Sequence, residues 1–279
     1  MSRLVLLLFL CVSSSVGAIV IRHDVDDAKY RVDAAEFPAL ADMPGEAHGV
    51  LIAPQWVVTA AHATFANPTG IMLNGVCREV ERLIIHPGYK KLPDDLIAET
   101  LKSGVQTRAI ALLTASDDIA LIKLSQPVTD VAPTPLYRHD DELGKTVKLI
   151  GKGATGNGLI GQNAHDPHRT ALRRAYSKVS RVDGHWLVYR FDRGPSAHAL
   201  EGVSANGDSG GPVLIEVKGQ WQLAGLASWK YIQPGKPATH VGFYGQSTYN
   251  VRLSSYAKWI EDTMAAETGN VSSGSSKTG

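Results

Sequence analysis

The feature that most restricts this chain is its punctuation: short apolar runs alternate with Gly, Pro and Asn turns over most of its 279 residues. Runs that brief, rich in Val, Ile, Leu and Trp, are strands, and many in succession build an all-β sandwich or barrel. The candidates are residues 49–52, 56–59, 80–85, 119–124, 146–150, 186–191, 213–217, 221–227 and 242–244. One helix is expected near the end, where Tyr256, Trp259, Ile260 and Thr263 fall on one face at helical spacing. Residues 90–115 read as an inserted segment with a short helix near 96–101. Residues 266–279, Ser/Gly-rich from Gly269 onward, lack an apolar anchor and read as a disordered tail.

The first eighteen residues read as an export signal. Arg3 begins it, Leu4 to Val12 form its apolar stretch, and Val16-Gly17-Ala18 offers the small residues that signal cleavage requires. A membrane span needs about 20 apolar residues, and Ser13 to Ser15 end this run too early. The expectation is a secreted or periplasmic protein, monomeric and free of the membrane in its mature form. Cys11 leaves with the signal, so Cys77 alone remains and no intramolecular disulfide can form. Such a chain is held by its core alone, which its length allows. Cys77 itself reads as a small packed residue. A formal net charge of +1 points to no nucleic acid or anionic surface as partner.

Three segments carry chemistry. Val57-Val58-Thr59-Ala60-Ala61-His62 is an apolar strand delivering a histidine, the usual general base near neutral pH, although alone it fits a structural histidine equally. Asp118 opens the run Ile119-Ala120-Leu121-Ile122. A carboxylate half-buried there needs a donor such as a His N–H, unless it serves only the turn, as its neighbour Asp117 does. Gly207-Asp208-Ser209-Gly210-Gly211-Pro212 is the most specific: a serine among glycines lets backbone N–H groups approach a reacting carbonyl.

Together these segments resemble the chymotrypsin/trypsin-like serine peptidase family. His86-Pro87-Gly88-Tyr89, Gly151-Lys152-Gly153, Ala227-Ser228-Trp229 and the helix around Trp259 extend the resemblance over most of the chain. It implies two six-stranded antiparallel β-barrels with a C-terminal helix, divided at about residues 19–135, 136–253 and 254–265. It also implies a cleft in which His62, Asp118 and Ser209 form a triad acting on a polypeptide substrate. The Gly207 and Ser209 N–H groups would make the oxyanion hole. No cofactor or metal is implied.

The departures are as informative. Ala47, Ala63 and Ala205 stand where the family has cysteines, and Lys152 where it has tryptophan. The residue at the floor of the primary specificity pocket is Val203, which cannot pair a basic side chain. Substrate binding is expected at Val203, Ser228, Trp229 and Lys230, with an apolar or small residue before the scissile bond as first choice. An acidic residue drawn by Lys230 is the second, and Glu201 could yet supply a carboxylate for a basic one. Signal cleavage after Ala18 would expose Ile19-Val20, whose amine could pair with Asp208 as the family's new N-terminus does, although Ile21-Arg22 replaces two usual glycines.

Rival readings follow from the same residues. Gly207 to Gly211 fits the elbow of α/β-hydrolases, yet only His240 follows the serine. An esterase or a non-catalytic module of the same fold is also possible. His165-Asp166-Pro167-His168 and the His23, Asp24, Asp26, Asp27 group could in principle hold a cation, but neither has helical metal-site spacing.

Overall fold

The computed structural model describes residues 19–163, 171–233, 236–237 and 239–274, with side chains through 268. The expected signal segment and the His165 to His168 motif lie outside the described residues.

Strand β1 is Ile19–Ile21, and the first barrel follows it. Its strands are β2 (Leu40–Met43), β3 (Ala47–Ala53), β4 (Trp56–Thr59), β5 (Gly70–Leu73), β6 (Val76–Ile85) and β7 (Ala120–Leu124). They close in the order β2-β3-β4-β7-β6-β5. Strand β4 is buried throughout and pairs Val57 with Ile122 and Val58 with Leu121, so apolar side chains are buried on both faces of the β4–β7 pair, one pair on each face. Each such side chain, fully buried, contributes about 1.5–3 kcal/mol.

Between β6 and β7 the inserted segment forms two helices, α1 (Asp94–Ser103) and α2 (Thr107–Thr114), where one was expected. Gly104 ends α1 in the left-handed conformation at φ 70°, with its N–H returned to the Thr100 carbonyl. The insertion is fastened to the second barrel, because Trp186 Nε1 donates to the Thr114 carbonyl at 2.9 Å.

The second barrel uses β8 (Thr146–Gly151), β11 (Arg173–Asp183), β12 (Trp186–Arg190), β14 (Pro212–Val217), β15 (Gln220–Lys230) and β16 (Ser247–Arg252), closed as β11-β12-β16-β15-β14-β8. Three short strands, β9 (Thr155–Asn157), β10 (Gly161–Asn163) and β13 (Gly202–Val203), join β1 in a separate sheet. Strand β1 therefore packs with elements of the second half of the chain, although its residues precede the first barrel. The final helix, α3, runs from Ala257 to Gly274, past the expected end at 265. Ala265, Ala266 and Glu267 favour helix, and no glycine or proline intervenes before Gly269.

Two further readings need correction. Residues 242–244 form a turn, with Gly242 and Gly245 both at φ 84°, where strand geometry is lost. Cys77 is exposed on β6, not packed inside. The three alanines in place of cysteine are each 1% exposed, so methyl packing fills their positions.

Candidate active site

Strand pairing brings His62 and Asp118 together. Thr59 on β4 lies opposite Ala120 on β7. The 3-10 turn Ala61–Thr64 after β4 and the residues entering β7 thus share one end of the barrel. Asp118 is 5% exposed and accepts from both the His62 N–H (2.8 Å) and His62 Nδ1 (2.7 Å). Ser228 Oγ donates to the same carboxylate. An ionised carboxylate only accepts, so Nδ1 bears the proton and Nε2 is left as the basic nitrogen. Burial works against charging His62, but the charge and hydrogen bond of Asp118 outweigh it and raise the imidazole above its ordinary value.

The serine turn has a steric logic. Gly207 and Gly210 sit at φ 88° and 73°. A Cβ at Gly210 would meet the His48 carbonyl at 2.2 Å and Thr59 Oγ1 at 2.5 Å. Glycine there lets the turn press against β3 and β4, at the foot of the His62 turn. The Ser209 carbonyl accepts from His48 N–H at 2.8 Å, and Gly210 N–H donates to the Ala227 carbonyl at 2.8 Å. The backbone N–H groups of Gly207 and Ser209 make no hydrogen bond among the described residues, nor does Ser209 Oγ. Ser209 Oγ and His62 Nε2 are thus not hydrogen-bonded to each other in this structure.

Asp208, 2% exposed, turns inward: Gly153 N–H donates to Oδ1 at 2.7 Å and Ala205 N–H to Oδ2 at 2.8 Å. Glycines at 151 and 153 leave room for this carboxylate, since a Cβ would lie 2.1 and 2.8 Å from its atoms. Ile19 is 2% exposed in β1, beside Thr155 and close to Gly202. In this intact chain no hydrogen bond joins Ile19 to Asp208 among the described residues, and Ile19 has φ 66°, a strained value for a β-branched residue.

Strand β15 borders the site. Trp229 stacks on Tyr249 at 3.8 Å between centroids and meets Trp186 edge-on. A cavity of about 510 Å³ opens beside His62, walled by Trp229, Trp186, Tyr89 and the insertion's Ile97 and Leu113. Val203 is buried and pairs with Val20. Glu201 is turned away: its carboxylate accepts from Ser177 Oγ at 3.0 Å and His198 N–H at 2.8 Å, and burial pushes it up to about 7. Its oxygens are therefore committed to these donors.

Lys230 ends β15 half-buried, and no acidic group within salt-bridge distance faces its ammonium among the described residues. Desolvation lowers it to about 8 against the pull of Asp208, and its charge in turn lowers His62. Because Asp118 outweighs both burial and Lys230, the acid limb of kcat/KM on an uncharged substrate should lie above the ordinary histidine value. Because Lys230→Met removes a charge that disfavours imidazolium, the limb should move to higher pH. A pH–rate profile of the two proteins checks this; a limb that stays or falls contradicts it.

The acidic group near the start is consumed by ion pairs and turns. Asp24 pairs with Arg22 at 2.7 Å, Asp27 with Arg173 and Arg31, and Asp26 accepts from Ala28 N–H. Asp117 binds Tyr256 Oη at 2.7 Å, anchoring the approach to α3. Sequence reasoning missed the bond of Ser228 to Asp118 and the cluster of buried His48 with half-buried Asp42 and Lys152 behind the serine turn. Lys152 was visible as a departure, but nothing local linked it to residues over a hundred positions earlier.

Comparison with known proteins agrees with this geometry. The Trypsin family model matches residues 29–260. Kallikrein 1-related peptidase b22 of Mus musculus is 30% identical over 224 residues, covering 78% of this chain and 79% of its own. Thrombin-like enzyme acutobin of Deinagkistrodon acutus is 26% identical over 263 residues, covering 88% and 86%. Vitamin K-dependent protein C of Mus musculus is 25% identical over 234 residues, but the chain spans only 45% of that longer protein. With both barrels, the serine turn and the family match in agreement, the chain belongs to the trypsin family of peptidases.

Proposed function

We propose that the chain is a secreted serine endopeptidase that cleaves through a triad of His62, Asp118 and Ser209, forming and then hydrolysing an acyl-enzyme. The observation that supports it most is the His62–Asp118 pair: a buried carboxylate accepts the hydrogen bond from Nδ1–H and leaves Nε2 to serve as base. In this reading Nε2 accepts the Ser209 proton as Oγ attacks the peptide carbonyl, then returns it to the leaving amine. The unbonded Gly207 and Ser209 N–H groups would receive the oxyanion, where one donor is typically worth ~10²–10³ in rate.

Mature enzyme would start at Ile19. Cleaving the Ala18–Ile19 bond removes the preceding carbonyl, and with it the strained φ of Ile19, while creating an ammonium that could pair with Asp208. Cleavage after Arg or Lys is disfavoured, because Val203 offers no carboxylate, Glu201 is committed elsewhere and Lys230 adds a repelling charge. Digesting an unbiased peptide mixture with protein starting at Ile19, alongside Ser209→Ala, tests this. The expected result is Ser209-dependent cleavage with Arg and Lys depleted before the cut. Dominant cleavage after Arg or Lys would sink the specificity, and no Ser209-dependent cleavage would sink the peptidase reading.

A further inference from the structure

Behind the serine turn lies a polar chain, buried at its centre and half-buried at its ends, with no counterpart in the triad. His48 on β3 is fully buried. Its Nδ1 lies 3.2 Å from Asp42 Oδ1, an ion-pair contact that falls short of hydrogen-bond geometry. On the other side of the ring, Nε2 accepts from Lys152 N–H at 3.3 Å. The Lys152 ammonium returns to Asp42 Oδ2 at 2.8 Å, so the carboxylate is braced from both sides. The next N–H along, that of Gly153, is the one that grips Asp208. His48 also reaches the serine directly through its own backbone N–H, bonded to the Ser209 carbonyl at 2.8 Å.

These contacts fix a tautomer. With Nε2 occupied by an N–H donor, the ring proton belongs on Nδ1, facing Asp42. In that form His48 does not donate to Asp208, whose Oδ1 is 3.9 Å from Nε2. It acts one step removed, as the acceptor that sets the Gly151-Lys152-Gly153 turn. Asp208 lies between Gly207 and Ser209 in sequence, so the orientation of its side chain and that of the two free N–H groups are coupled through one short stretch of backbone.

We propose that His48, oriented by Asp42 and Lys152, is a positioning residue for the oxyanion hole: it holds the 151–153 turn so that Gly153 can fix Asp208 and, with it, the Gly207 and Ser209 N–H groups. The inference rests on reading those two groups as the oxyanion hole. It explains why lysine stands at 152, because its backbone and side chain serve the same cluster. It also gives Asp208 a support within the chain, separate from any N-terminal amine.

The test separates positioning from general structure. His48→Leu, similar in bulk but without an acceptor, should lower kcat on a peptide substrate about 10- to 100-fold while KM stays within about twofold, since the loss falls on the transition state. His48→Gln, whose side-chain carbonyl can accept from Lys152 N–H, should recover most of that loss. Should the leucine variant not fold, Asp42→Asn, on the partly exposed side of the chain, should still reduce kcat several-fold at constant KM. Wild-type kcat in folded His48→Leu, or in Asp42→Asn where that is the variant available, overturns the proposal, as does a glutamine variant no better than leucine. Labelling wild-type Ser209 with a fluorophosphonate in the same experiment distinguishes the two levels. If the wild type is labelled and the His48 variants are unchanged, only the positioning role fails; if the wild type is unlabelled, the underlying site reading fails first.

Discussion

Asp118→Asn should lower kcat by about 10⁴-fold without unfolding the protein, a loss typical of replacing the carboxylate that orients a catalytic histidine. All three partners of this side chain are donors: His62 N–H, His62 Nδ1–H and Ser228 Oγ–H. An amide has one accepting and one donating end, so it cannot satisfy all three. The easiest relief is for His62 to shift its proton to Nε2 and accept from the new amide. Nε2 then has no lone pair to take the Ser209 proton, and the base is lost although the geometry survives. Loss of the Asp118 charge should also lower the imidazole toward or below its ordinary value, since that charge is what outweighs burial. Histidine titration followed by NMR, beside single-turnover kinetics, would check both parts. A variant within tenfold of wild-type kcat would mean that Asp118 is not the orienting group.

The second large effect concerns stability. Asp27→Ala should cost about 3 kcal/mol, the lower end of the range for removing a carboxylate from a buried ion pair, because Arg173 keeps other contacts such as the Ala171 carbonyl. Arg173 is fully buried and makes two bonds of 2.7 Å to the Asp27 carboxylate. Asp27 begins a 3-10 turn in the segment after β1, so the pair fastens the N-terminal stretch to β11, while Tyr30 Oη ties it to the entry of β13 by donating to the Glu201 carbonyl at 3.0 Å. The melting temperature should fall by roughly 10 °C for a chain of this size. Asp27→Leu with Arg173→Met should recover much of the loss, because removing both charges also removes the desolvation problem. The sign of the pH dependence follows from Asp27. Burial opposes its ionisation, but the Arg173 and Arg31 bonds hold it below the usual aspartate range. Its contribution is therefore present above the unfolded value and disappears as pH falls through the lower folded one. A double mutant no better than the single would show that the guanidinium keeps adequate support from its remaining contacts.

How legible each part was depends on what faces inward. Strands such as β4 and β7, buried along their whole length with Val, Ile and Leu, stood out as apolar runs. Strand β11 did not, because its inward positions alternate Arg173, Ala175, Ser177 and Val179, and two of these four are polar. Their burial is made possible by Asp27 and Glu201, partners far away in the sequence. The site followed the same rule. His62, Asp118 and Ser209 each sit in a local run whose residue types state their chemistry. His48 sits in Ala47-His48-Gly49-Val50, which reads as plain strand, and only folding brings Asp42 and Lys152 to either side of it. Glu201 lies near the expected pocket in sequence, yet its carboxylate is bonded to Ser177 Oγ and His198 N–H, which sequence spacing does not reveal.

The central claim is that Ser209 is an activated nucleophile. The most direct measurement is to label purified protein starting at Ile19 with a fluorophosphonate probe, map the adduct by mass, and run Ser209→Ala and His62→Ala beside it. A single adduct on Ser209 that is absent from Ser209→Ala and strongly suppressed in His62→Ala is the expected result, because an ordinary serine hydroxyl is a weak nucleophile without its base. A folded protein that takes no label, or takes it equally without His62, would contradict the claim and leave a trypsin-family fold without its chemistry.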